Sequence, residues 1–130
     1  MSLKPTKVVE SFYQSNDKDA ESIRQYLHPE AELSWYGTTG LKNLDVEGIL
    51  GIRDELFSSF DSLRAEIEKI FAKKENVAVH FTYHVRTIEN PDEEMPLAHF
   101  VAIWELKDGK LFRGVQVSQL GEEVEKSPWA

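Results

Sequence analysis

Four side chains between positions 80 and 86 could do chemistry together: His80, Thr82, His84 and Arg86 recur at every second residue. An imidazole with an unperturbed pKa of ~6.5 exchanges protons in either direction near neutrality, so His84 is the residue best suited to serve as acid or base. The competing reading makes it a hydrogen-bonding partner that orients a ligand or satisfies a neighbour, the common role of a polar group in apolar surroundings. His80 and His84 also invite a metal. The intervening Val77, Val79, Phe81, Tyr83 and Val85 alternate as a strand does, and a strand rising ~3.3 Å per residue holds residues four apart at about 13 Å. A zinc ion with bonds of ~2.1 Å cannot span that gap, so no metal is expected there. The chain has no cysteine, which removes thiolate ligands, a cysteine nucleophile and disulfides together. Neither a G-x-G-x-x-G nor a G-x-x-x-x-G-K-[ST] phosphate loop occurs, and no cofactor is expected.

The elements that must position these groups follow from changes of hydrophobic period. Thr6 is placed to cap a first helix on which Val8, Val9, Phe12 and Tyr13 recur at helical spacing. Asn16 or Asp17 can cap a second helix carrying Ala20, Ile23 and Leu27, which Pro29 ends at His28. Ala31, Leu33 and Trp35 alternate with Glu32 and Ser34, the pattern of a half-buried strand. A polar connection from Gly37 to Asp45 leads to a third helix with Ile49, Ile52, Leu56 and Phe60 on one stripe, its start blurred by Gly48 and Gly51.

The second half reads as a meander. Leu63, Ala65 and Ile67 open one strand, Lys74 to Asn76 turn the chain, and Val77 to Ile88 form the next. Pro91 to Pro96 is read as a loop, followed by strands Leu97 to Lys107 and Lys110 to Leu120 joined through Asp108-Gly109. Helices first and strands after predict an α+β domain over residues 1–130, with 121–130 a flexible tail.

A chain of 130 residues with 41% hydrophobic content suits one domain with a real core. Its net charge of −8 argues against nucleic acid, whose binders cluster Lys and Arg. The acidic stretches at 91–94 and 121–125 read as solvated surface. No apolar run nears the ~18 residues that cross a bilayer, and no leader pattern opens the sequence, so no membrane partner and a cytoplasmic location are expected.

Three segments, FYQSND followed by LHPEAELSWYG, GIRDELFSSF and WELKDGKLFRGVQVSQL, occur in an order that resembles the nuclear transport factor 2-like superfamily, and within it the SnoaL-like proteins related to polyketide cyclases and ketosteroid isomerases. The resemblance implies a cone-shaped, curved antiparallel sheet packed against three helices from the first half of the chain, with a cavity on the concave face. It also implies a homodimer through the outer face. The strand at 97–106 agrees, being apolar on both phases: Ala98, Phe100, Ala102 and Trp104 on one, Leu97, Val101 and Ile103 on the other. By family position, the acid or base of the last strand is replaced by Gln116, and the Arg and Asp of epoxide hydrolase-like members by Thr82 and His84. The epoxide hydrolase set is therefore absent.

The resemblance further implies that His80, Thr82, His84 and Arg86 face the cavity together with Phe112, Gln116 and Ser118, that Trp35 is a pocket wall, and that Tyr13 sits near the oxyanion tyrosine of steroid isomerase-like members. Trp104 and the Phe12–Tyr13 pair also have a plain core reading, His28 a helix-end role and His99 a place on the outer phase. Three functions follow. The first is binding of a small, largely apolar or amphipathic molecule among Trp35, Phe100 and Phe112, oriented by His80, Thr82, His84 and Gln116. The second is cofactor-independent isomerase, cyclase or dehydratase chemistry, with His84 as acid or base and Tyr13 or Gln116 polarising a carbonyl. The third is a non-catalytic dimerisation domain.

Overall fold

The computed structural model describes residues 4–15 and 19–120. Helix α1 runs Pro5–Gln14, with Pro5 in its first turn, where a missing N–H costs nothing. The start therefore lies one residue before Thr6, and Lys4, at the cap position, makes no side-chain bond there. Val8, Val9, Phe12 and Tyr13 form its buried stripe as expected. Helix α2 is shorter than its sequence suggests: it covers Ala20–Ile23, a tight turn follows at Arg24–Tyr26, and strand β1 begins at Leu27 and runs to Gly37. Pro29 thus lies inside a strand. It is tolerated because the pairing of β1 with β6 is interrupted between Leu27 and Glu32, so no ladder donor is needed from it. The observed cap is Asp19, whose side chain accepts from the Glu21 N–H at 3.0 Å; Asn16 and Asp17 lie outside the described residues, as does the tail 121–130.

The polar connection holds a strand that alternation did not reveal, β2 (Gly40–Leu44), which forms a hairpin with β1. Helix α3 then spans Val46–Ser59 and is capped by Asp45, whose Oδ1 accepts from the Gly48 N–H at 2.8 Å. Strands β3 (Ser62–Lys73), β4 (Asn76–Arg86), β5 (Glu94–Lys107) and β6 (Lys110–Leu120) complete a six-stranded curved sheet in the order β2-β1-β6-β5-β4-β3. Every pair is antiparallel except β1 and β6, which run parallel. β5 starts at Glu94, inside the stretch read as a loop. The Asp108-Gly109 turn has φ of 55° and 76°, the left-handed pair that a two-residue hairpin demands.

Helix α1 packs on β3, β4 and β6, while α3 packs on β1, β2 and β3. Together they cover one face of the sheet. Val77, Val79, Phe81, Tyr83 and Val85 of β4, Ala98, Phe100, Ala102 and Trp104 of β5, and Leu33 of β1 are buried in one core with the helices. No helix among the described residues is long and apolar enough to cross a membrane.

Candidate functional site

Under α1 and α3, two joined chambers open on the helix-covered face. Trp35, Leu56, Tyr83 and Phe100 line both. The deep chamber, of about 60 Å³, is bounded further by Phe12, Tyr13, Leu33, Arg53, Phe57 and Gln116. The wider one, of about 300 Å³, reaches the β1–β2 turn at Gly37–Gly40 and the strand ends at Leu97, Ser118 and Leu120.

The aromatic wall is built by register. Phe81 pairs with Phe100 across β4 and β5, and their rings stack 4.9 Å apart at 2°. Tyr83 meets Phe100 edge-on at 5.1 Å. Trp35 is turned by a bond from its Nε1–H to the Ser118 Oγ at 2.8 Å, across the parallel β1–β6 pair.

At the far end the polar groups form one chain. Trp104 Nε1–H donates to the Tyr13 hydroxyl at 2.8 Å, and that hydroxyl donates to Gln116 Oε1 at 3.1 Å. Burial raises the Tyr13 phenol well above its ordinary value, against a smaller lowering by the Trp104 bond. Burial likewise pushes the Tyr83 phenol up to about 12, tempered by the positive charge of Arg53. Both remain protonated across the physiological range. Arg53 is itself only 8% exposed; it donates from Nη2 to the Ser15 carbonyl at 2.7 Å and lies 4.5 Å over the Phe57 ring.

The structure brings Tyr13, Trp35, Phe100 and Gln116 together around the chambers. It does not bring the β4 set to them. His80, Thr82 and His84 lie on the opposite face of the sheet: His84 Nε2 is 2.8 Å from Glu66 Oε1, and the Thr82 hydroxyl donates to Glu68 at 3.0 Å while lying 3.0 Å from His99 Nδ1. Arg86 donates to the Pro91 carbonyl. The expected inward phase of β4 is thus reversed, for a physical reason. Its other phase carries two aromatic rings and three valines, and that set gains far more from burial than two imidazoles and a threonine. Phe112 is also displaced. A register shift between Glu105 and Leu106 carries it to the closed end of the sheet, where it meets His28 at 4.8 Å and the Arg113 guanidinium at 3.9 Å. His28 itself stands in β1, where its Nδ1 accepts from the Glu30 N–H.

Sequence reasoning missed Arg53 and Tyr83. The signal for Arg53 was a lone cation on the apolar stripe of α3 between Ile49 and Phe57; for Tyr83, it was membership of the more apolar phase of β4. Among the described residues, no group of three or more His, Asp or Glu side chains is arranged to hold a metal ion.

The sequence profile of the SnoaL-like domain matches residues 8–114. The chain belongs to the SnoaL-like family. The fold of this SnoaL-like protein is shared by wild-type IdmH from Streptomyces antibioticus, with a TM-score of 0.71 at 20% identity over 90% of this chain and 93% of that one. TerC, crystallised with polyporic acid, superposes with a TM-score of 0.65 at 23% identity over 95% of each chain. A SnoaL-like protein from Shewanella denitrificans does so with a TM-score of 0.67 at 13% identity, over 88% and 90%. Comparison with curated protein sequences gives no match.

Proposed function

We propose that this SnoaL-like protein binds a small, largely apolar molecule in the two chambers beneath α1 and α3, and does so as a homodimer joined through the outer face of the sheet. The observation that carries the reading is the wall of Trp35, Leu56, Tyr83 and Phe100 common to both chambers, ending at the Tyr13–Gln116 hydrogen bond with Arg53 also in the lining. Apolar walls with a few fixed polar groups are the usual make-up of small-molecule sites. The chambers also lie where the helices meet the sheet, so a ligand there would touch both layers. TerC, of the same fold, has been crystallised with polyporic acid, which lends further support.

A second reading, cofactor-independent isomerase, cyclase or dehydratase chemistry, draws on the hydrogen-bond chain at Gln116 and on IdmH, described as a candidate polyketide cyclase. It ranks below binding, because the imidazole of His84 points to the opposite face and neither pocket phenol releases a proton near neutrality. The outer face supports the dimer: Val101 and Ile103 are 51% and 53% exposed on the central strand.

Binding is tested by thermal and urea denaturation with small aromatic compounds. A compound at a hundredfold excess over its Kd raises the unfolding free energy by about 2.7 kcal/mol. Phe100→Trp and Leu56→Trp, which fill the shared wall, abolish that gain while the protein stays folded. A gain that survives both substitutions would place the ligand elsewhere and overturn the reading.

A further inference from the structure

The hydrogen-bond chain at the deep end of the pocket has a direction, and the direction selects the ligand. An indole N–H can only donate, so the fully buried Trp104 fixes the Tyr13 oxygen as an acceptor. The single phenolic proton must then go onward, and its partner at 3.1 Å is Gln116 Oε1. The opposite setting of the amide would aim two donors at one phenol oxygen and leave the buried Tyr13 proton without an acceptor among the described residues. The carbonyl half of Gln116 is therefore committed to Tyr13, and its NH2 group is the end of the chain. Gln116 lines the deep chamber, so that end is offered to whatever occupies it.

Size adds a second constraint. About 60 Å³ is too little for a ring but admits a substituent of one or two heavy atoms, while about 300 Å³ in the outer chamber admits a ring system. We infer that the ligand is a ring compound carrying a carbonyl-type oxygen, its apolar body in the wider chamber against the wall that Trp35 and Phe100 form together and its oxygen accepting from the Gln116 amide, with Tyr13 and Trp104 as positioning residues. A ligand presenting only a donor at that end would meet another donor. This rests on the binding reading above and narrows it to one chemical class.

The probes are 1-indanone and indane, which share a skeleton and differ in the carbonyl. Water holds the ketone more strongly than the hydrocarbon, so the informative quantity is the change in their affinity ratio between wild type and variant, read by calorimetry. Gln116→Leu lowers the indanone-to-indane ratio about tenfold, equivalent to about 1.4 kcal/mol, and indane binds as before. Tyr13→Phe, which leaves the amide in place but unties its carbonyl, lowers the ratio by a smaller factor. The infrared carbonyl stretch of bound indanone lies at lower frequency in wild type than in Gln116→Leu. Should Gln116→Leu fail to fold by circular dichroism, Gln116→Met, of similar length and without a donor, is read in the same way. An unmoved ratio in the folded variant, with indane still binding, overturns the inference alone. Failure of both probes to bind wild type overturns the pocket reading and this inference with it.

Discussion

Tyr83 and Tyr13 place two phenols in apolar surroundings that disfavour their anions. Both folded pKa values exceed the unfolded value of about 10, so the unfolded chain loses these protons first. The stability they contribute is whole below about pH 10 and is lost as pH rises through the folded values, which for Tyr83 is about 12. Urea denaturation across a pH series is expected to give a flat stability from neutrality to about pH 10. Above that it declines by about 1 kcal/mol per pH unit for each tyrosine. Tyr83→Phe halves the slope. An unchanged slope in that variant would show that Tyr83 ionises freely in the fold.

Between elements, the closest fit is where β5 meets β6. Gly114 stands opposite Trp104 in the ladder, and a Cβ there would come within 2.7 Å of the indole. Gly114→Ala must therefore push aside a fully buried ring in a strand where neighbours leave no slack, at a cost of about 1–3 kcal/mol. The expected result is a lower urea midpoint with an unchanged slope, together with a shift of tryptophan emission as the Trp104–Tyr13 bond is strained. A midpoint equal to wild type would mean that the strands separate easily.

At this scale the sequence was legible wherever period and turn chemistry agreed. The span Lys110–Leu120 and the Asp108-Gly109 turn were readable to the residue, because alternation and a φ-demanding pair point the same way. β2 was not, since Gly40, Leu41, Lys42, Asn43 and Leu44 lack alternation and pair only because the hairpin holds them against β1. The site divided similarly. Tyr13, Trp35 and Gln116, like Thr82 and His84, were assigned by the resemblance; on β4 that assignment set His80, Thr82 and His84 against a more apolar opposite phase, and burial decided the matter.

For the molecule as a whole, the outer face of the sheet carries two apolar rows. Val115, Ile103, Ala78 and Phe71 lie side by side across four strands, and Tyr36, Val117 and Val101 across three. Most of these side chains are about half exposed in the single chain, an arrangement that a second copy would cover by its own matching rows. Val101→Glu with Ile103→Glu is expected to convert a dimer to a folded monomer in analytical ultracentrifugation. A wild-type protein that sediments as a monomer at high concentration would remove the dimer from the proposal.

The parallel alliance of β1 with β6 ties the first strand of this sheet in chain order to its last. Until the eleven residues of β6 emerge, Leu33 and Trp35 have only the short β2 beside them, and the concave wall has a gap down its middle. The hollow therefore cannot be assembled piecemeal as the chain grows. It closes in one long-range event once β6 is made, so a chain synthesised only as far as β5 lacks the room that its ligand would occupy.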